Sequence, residues 1–377
     1  MSAATLLCCC SASIADVADT EGTEKNLDYI WEYERKQLLP ATDLVLIYGG
    51  GKHREATWNK EHLLPYVSYK DKTNVTHWLF DGFLFIEFTN GASGNPRIFA
   101  TGYYGQPAGK AEWAALAEYY FTKNNAVYAL EQCVADAEKQ LGKPAKKRKV
   151  VISMPEPIVA GPGSHYTQLP ADYWGEVDGV QLNFSNDKDR ITACKWYIDY
   201  VRKLFNDGKF QHLELAGFYW LAEETLHTKT ILADVANYLN GLKYSFNWIP
   251  YWKTVPDYYE WKSLKFNYAY LQPNYFFNNK LPYSRLTEAC HVARQYEMDL
   301  ELEFDVRVFY EKENWAYRLR DYMKAFREIF GIWETKRIAY YQGTDALYFL
   351  SKATHPEDQQ LYHDFCSFVV EHQLVYH

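Results

Sequence analysis

Eight short apolar runs, each followed by a helix-like stretch or a turn into one, recur along the chain from Asp43 onward. They read Asp43 to Gly50, Trp78 to Phe88, Lys149 to Met154, Leu213 to Trp220, Tyr244 to Trp252, Phe266 to Phe276, Leu300 to Asp305 and Ile338 to Gly343. Strands that alternate with helical segments pair in parallel through crossovers. Eight such units close a (β/α)8 TIM barrel, whose usual span of about 250 residues leaves length here for long irregular loops at the C-terminal face. A doubly wound open sheet uses the same alternation and is the competing architecture. The helices are expected at 112–141, 189–205, before Gly241, briefly at 256–263, and at 284–297, 313–330 and 356–372. An extra strand is expected at Gly179 to Phe184, inside the long connection 158–187. No long Gly/Ser linker or internal repeat interrupts the series, so residues 25–377 read as a single barrel domain. A short helix is expected at 25–40.

The chain of 377 residues is 48% hydrophobic, enough for a large core, and carries a net charge of −8. Its one basic cluster, Lys143 to Lys149, is short and reads as a solvated loop, so no nucleic-acid partner is expected. The aromatic share is high: 18%, with 33 Tyr and 12 Trp. Side chains with a flat apolar face and a polar tip suit sugars, whose C–H faces stack and whose hydroxyls need partners. The N-terminus, with Leu6-Leu7-Cys8-Cys9-Cys10 among small residues, resembles the end of a bacterial lipoprotein signal. Residues 1–24 therefore read as a signal or tether remnant, with a lipid anchor on one of Cys8, Cys9 or Cys10. This places the protein as exported, in the periplasm or at the cell surface. Cys133, Cys194, Cys290 and Cys366 lack metal-ligand spacing and read as buried thiols. No cofactor is expected, and the protein reads as a monomer.

The stretch Asp299-Leu300-Glu301-Leu302-Glu303-Phe304-Asp305 alternates strictly between acid and apolar residue. On a strand this sends all four acids to one face. In a barrel that face is the inside, where carboxylates are costly unless paired or used. Functional groups of such barrels sit at the C-terminal strand ends. Those ends supply Asp81, Tyr219 and Trp220, Glu223, Trp248 and Tyr251, Gln272 and Asn274, then Glu301, Glu303 and Asp305, and finally Tyr341. Two carboxylates flanked by Tyr and Trp are what glycosidic cleavage needs: one protonates the leaving oxygen, and the other attacks or activates water. Glu223 and Glu303 are the expected catalytic pair, with Glu303 as nucleophile. Glu224 and Glu301 are the neighbouring alternatives, and the other strand-end residues are expected to bind substrate.

Glu at the end of strand 4 and Glu on strand 7 resembles the large clan of retaining barrel glycosidases. A closer resemblance rests on Trp78-Leu79-Phe80-Asp81-Gly82-Phe83, Trp196-Tyr197-Ile198-Asp199, Gly217-Phe218-Tyr219-Trp220, Trp248-Ile249-Pro250-Tyr251, Gln272-Pro273-Asn274 and Glu301-Leu302-Glu303-Phe304-Asp305. Together these resemble the family catalogued as domain of unknown function 4855. The resemblance implies the barrel and an exported protein of glycan-degrading bacteria. It names no substrate. The expected function is a glycoside hydrolase on a poly- or oligosaccharide, retaining rather than inverting. Two alternatives compete. One is a non-catalytic surface barrel that binds glycans through the same aromatics. The other is a divalent-metal enzyme built on the strand-7 acids, since hard cations take carboxylate oxygens.

Overall fold

In the computed structural model the eight runs form a closed barrel of parallel strands in sequential order. The structure describes Leu38 and residues 41–376, apart from 52–53, 55, 92–93 and 253–257. The tether, Cys8 to Cys10 and, Leu38 aside, the helix expected at 25–40 lie outside the described residues. The strands are β1 (Asp43–Tyr48), β2 (Gly82–Ile86), β3 (Arg148–Met154), β4 (Leu213–Trp220), β5 (Ser245–Trp248), β6 (Tyr268–Leu271), β7 (Asp299–Glu303) and β8 (Ile338–Tyr341). β8 pairs with both β7 and β1, which closes the ring. The open-sheet alternative is thereby excluded.

Around the ring lie α1 (Lys60–Val67), α2 (Lys110–Tyr120), α3 (Ala126–Leu141), α4 (Asp187–Gly208), α5 (Lys229–Gly241), α6 (Ser284–Gln295), α7 (Ala316–Glu328), α8 (Ala346–Ser351) and α9 (Pro356–Val375). The helix expected over 112–141 is two helices, broken at Asn124 and Asn125. Asn124 takes a left-handed φ of 62°, a conformation asparagine tolerates better than most residues. The strand expected at 179–184 shrinks to Val180–Gln181, paired with Glu176–Val177. Between β5 and β6 the described residues hold one 3₁₀ turn, Tyr258–Glu260. Among the described residues no helix is long and apolar enough to cross a membrane. Cys133, Cys194, Cys290 and Cys366 are free and buried, as their spacing suggests.

The alternation on β7 is realised. Leu300, Leu302 and Phe304 are fully buried on the outer side, where Phe304 packs on Phe365 of α9 at 5.0 Å. Asp299, Glu301 and Glu303 share the inner side. Asp299 closes the N-terminal end by accepting from the Arg337 backbone N–H at 2.9 Å, with the Arg337 guanidinium 3.7 Å away.

A second buried polar cluster ties the last helix to the first strand. Asp43 and His372 are both fully buried, and His372 Nδ1 lies 2.8 Å from Asp43 Oδ1, which also accepts from the Tyr340 hydroxyl. His372 Nε2 faces the Lys336 carbonyl oxygen at 3.0 Å. Asp81 joins this end: its carboxylate accepts from the backbone N–H groups of Thr42 and Asp43. Burial, and then the Asp43 charge, raise Asp81 to about 6. Asp81 therefore lies at the N-terminal end of β2, against the expectation of a substrate-binding position. The reading of 78–88 as one strand hid a break: Thr76–Trp78 pairs with Ser68–Lys70 in a separate hairpin, and β2 starts only at Gly82.

Burial pushes His372 down, but the Asp43 carboxylate outweighs it and the net shift is upward. A raised folded value makes this contribution full below about pH 6.5, the ordinary histidine value, and removes it as pH rises through the folded value. Substitution His372→Leu leaves Asp43 buried without its cationic partner and is expected to cost about 3–5 kcal/mol. Denaturant unfolding of wild type and variant at several pH values checks this. The difference should be largest below pH 6.5 and shrink above it.

Candidate active site

The C-terminal rim of the barrel opens into a cavity of about 470 Å³. Glu223, Glu301 and Glu303 all line it, together with Tyr48, Arg54, Tyr103, Tyr219, Gln272, Asn274 and Tyr341. Glu303 is the last residue of β7 and lies opposite Tyr341 in the β7–β8 register. Glu223 comes three residues after the end of β4. A register shift between Leu215 and Gly217 inserts one residue into β4 and re-aims the rest of the strand. Gly217 is forced by closeness to β5: a Cβ there would meet Ser245 Oγ at 2.0 Å and the Ser245 carbonyl oxygen at 2.5 Å.

The three carboxyls differ in their surroundings. Glu303 is 1% exposed and accepts from the Tyr322 hydroxyl, which α7 sends in from outside the ring. Burial raises Glu303 to about 7, against the Tyr322 hydrogen bond and the backbone N–H groups of Asn274 and Tyr275, which favour its charged form. Asn274 reaches that position through a left-handed backbone, φ 51°, after Pro273. Glu301, 3% exposed, is held well above the carboxylate range by burial, then by the Glu303 and Glu223 charges. Glu223 keeps part of its surface open to the cavity and is raised by lost hydration. It accepts from Gln272 Nε2 at a long 3.4 Å. Glu303 thus has three donors that fit an anion, and Glu223 has the long Gln272 contact and the more distant Arg54 charge. Such a pair can present one ionised and one protonated carboxyl together.

Arg54 supplies the opposing charge. Its guanidinium sits 3.6 Å from the centre of the Tyr48 ring, and its Nη1 is buried with no hydrogen-bond partner among the described residues. Asn274 Nδ2 is in the same condition. Both are donors in the cavity wall awaiting an acceptor. No group of three or more His, Cys, Asp or Glu side chains among the described residues is arranged to hold a metal ion.

Of the twelve residues expected at the site, Glu223, Glu303, Glu301, Tyr219, Tyr251, Gln272, Asn274 and Tyr341 line the cavity. Asp81, Trp220, Trp248 and Asp305 do not. Trp220 and Trp248 have the opposite parity and face the helical layer. Trp220 packs on Phe246, and Trp248 stacks on Phe266 at 4.8 Å while its Nε1 donates to the Ala222 carbonyl oxygen. Asp305 caps the turn Val306–Val308 and binds Arg307. Three cavity residues, Tyr48, Arg54 and Tyr103, escape the strand-end rule as applied to the sequence, and so does Tyr322, which reaches Glu303 from behind the cavity wall. Tyr48 ends β1 on the parity of Leu46 and was open to that same rule. Arg54 and Tyr103 come from loops and Tyr322 from a helix, where no periodicity marks them.

Substitution Gly217→Ala should lose about 1–3 kcal/mol by overpacking against β5, read by denaturant unfolding, and should disturb the Glu223 position. Tyr322→Phe removes a donor that favours charged Glu303, so the Glu303 titration should move to higher pH. Carboxyl-selective NMR of Glu303 reads that shift directly, and no movement or a downward one would contradict the described contact.

Residues 43–367 match the model of a domain of unknown function, DUF4855. No curated protein matches the chain. The matched span contains all eight strands and every carboxyl of the cavity, and the chain belongs to the DUF4855 family.

Proposed function

We propose that this protein is a glycoside hydrolase that cleaves a poly- or oligosaccharide with retention. The observation that carries the reading is the meeting of Glu223 and Glu303, from β4 and β7, in one open cavity at the C-terminal rim. Each is within electrostatic reach of the other, since the Glu223 charge acts on Glu303. Glu303 is the nucleophile, because the Tyr322 hydroxyl and two backbone amides stabilise its charge. Glu223 is the acid/base, because it lacks such donors and partial burial favours its protonated form. In the first step Glu303 attacks the anomeric carbon as Glu223 gives its proton to the departing oxygen. In the second, Glu223 takes a proton from water, which releases the sugar from Glu303. The rings of Tyr48, Tyr103, Tyr219 and Tyr341 supply stacking faces and hydroxyls. Arg54 Nη1 and Asn274 Nδ2 supply donors for sugar oxygens. The lipoprotein-like start supports a place outside the cytoplasm, where polymeric glycans are met.

The test is turnover of a broad glycan panel, with anomer-resolved NMR of the first product. Glu303→Gln and Glu223→Gln should each reduce kcat by about 10²–10⁴-fold while leaving glycan binding near the wild-type level. The first product should have the configuration of the substrate. Binding without cleavage by the wild type would reduce the protein to a glycan-binding barrel, and an inverted product would overturn the covalent route. The pH dependence of kcat/KM should rise near pH 7, where Glu303 loses its proton, rather than at about 4.3, the ordinary value for glutamate.

A further inference from the structure

Beside the carboxylate cavity lies a second and larger one, of about 830 Å³. Tyr103 lines both, so the two cavities adjoin at its side chain. The chain divides them at one step: Glu223 lines the first and Glu224 the second. The walls of the second cavity come from three loops, 101–104, 156–166 and 224–227, each running off the C-terminal side of a barrel strand, with Ser185 just before α4.

These loops are tied together by buried charge. Glu156, 3% exposed, accepts from the backbone N–H and the hydroxyl of Thr101 at 2.7 and 2.8 Å, and its own N–H donates to the Phe99 carbonyl oxygen. Arg190, from the first turn of α4, donates through Nε to the Pro157 carbonyl oxygen at 3.0 Å and through Nη2 to that of His227 at 2.7 Å. The Tyr173 hydroxyl donates to the Ile158 carbonyl oxygen at 2.8 Å. A fold with no use for this space would not need two buried ions to hold it open, since buried charge contributes little net stability. The chemistry of the lining is selective. It holds Tyr104, 86% exposed with a free ring face, and Tyr166, with Ser164, His165 and His227 as hydroxyl partners. Its formal charges are Glu156 and Glu224, and among the described residues no Lys or Arg lines it.

We infer that the second cavity holds further sugar units of the chain whose linkage sits at Glu223 and Glu303, and that this chain is neutral or amino-bearing, not acidic. The inference rests on the proposed hydrolase reading for the position of the cleaved bond, but the binding site stands on its own walls. Tyr104 and Tyr166 stack on pyranose faces. Glu224 accepts from hydroxyl or ammonium groups, and it and the Glu156 carboxylate in the wall repel uronates and sulfates.

The probes are cello-, xylo-, manno-, malto- and chito-oligosaccharides of two to six units, the last both acetylated and de-acetylated, with oligogalacturonides as the acidic series. Cleavage is followed on the wild type, and calorimetric binding on Glu303→Gln. On the series that is recognised, kcat/KM and affinity should rise by about tenfold or more from dimer to hexamer, tenfold being the ratio of one well-made contact. Tyr104→Ala and Tyr166→Ala should collapse that hexamer-to-dimer ratio. Tyr104 is exposed, so its loss leaves folding intact. A length gain in binding that Tyr104→Ala abolishes upholds the second cavity even if no bond is cleaved, which would fail the hydrolase reading alone. Cleavage with a flat length dependence, untouched by either variant, overturns the second cavity and leaves the hydrolase standing. Preference for the acidic series overturns the charge argument, and no binding by any series overturns both readings.

Discussion

Closure of the barrel governs the energetics of every polar group inside it. Once β8 pairs with β1, every strand has one face inside the ring, and the inner residues of β7 cannot reach bulk water sideways. Those residues are Asp299, Glu301 and Glu303. Asp299 is neutralised at the closed end by Arg337. Among the described residues Glu301 and Glu303 form no ion pair, and Glu223 adds a third carboxyl to the same space. A low-dielectric interior raises the cost of each charge and the repulsion among them. The upward shifts of all three are the direct result.

The two ends of the barrel treat buried carboxyls differently. At the N-terminal end, Asp43, Asp81 and Asp299 each have a defined structural partner: His372, the amides of residues 42 and 43, and Arg337. These groups hold strands and the last helix in place. At the C-terminal end three carboxyls share one cavity, beside donors on Arg54 and Asn274 that lack hydrogen-bond partners among the described residues. Stability is sacrificed there for a surface that can take a ligand. The same residue types therefore read as scaffold at one end and as chemistry at the other, and only their position on the strand tells them apart.

Position is also what decided how much the sequence could tell. The eight runs and the acid face of β7 were legible because a period of two has a single physical meaning on a strand. Glu223 and Glu303 came from the same rule applied at strand ends. The rule failed where the strand boundary was misjudged. Asp81 sits before β2, not at its end, because residues 76–78 belong to a hairpin. It failed again for Trp220 and Trp248, since large aromatics fit both the inner and outer faces and only the register separates them. Asp305 continues the alternation in sequence, but the strand stops at Glu303 and the backbone turns into a cap. Arg54, Tyr103 and the whole second cavity come from irregular loops, where no periodicity links sequence to direction.

The division of labour among the three glutamates comes from their neighbours, not from the strand. Glu303 gains a hydroxyl from α7 and two amides from the turn after β6, and each favours its anion. Glu301, two residues deeper on the same strand, is pushed further up by burial and then by both other carboxyls, with no donor to offset them. As pH rises Glu303 therefore gives up its proton near 7, while Glu301 keeps its own longer. A neutral Glu301 removes one charge from the cavity and leaves Arg54 and Arg285, which also line it, to offset the rest. On this view Glu301 is not a spare nucleophile. By staying protonated while its neighbour is ionised, it limits the charge that the proposed catalytic pair must share a closed ring with.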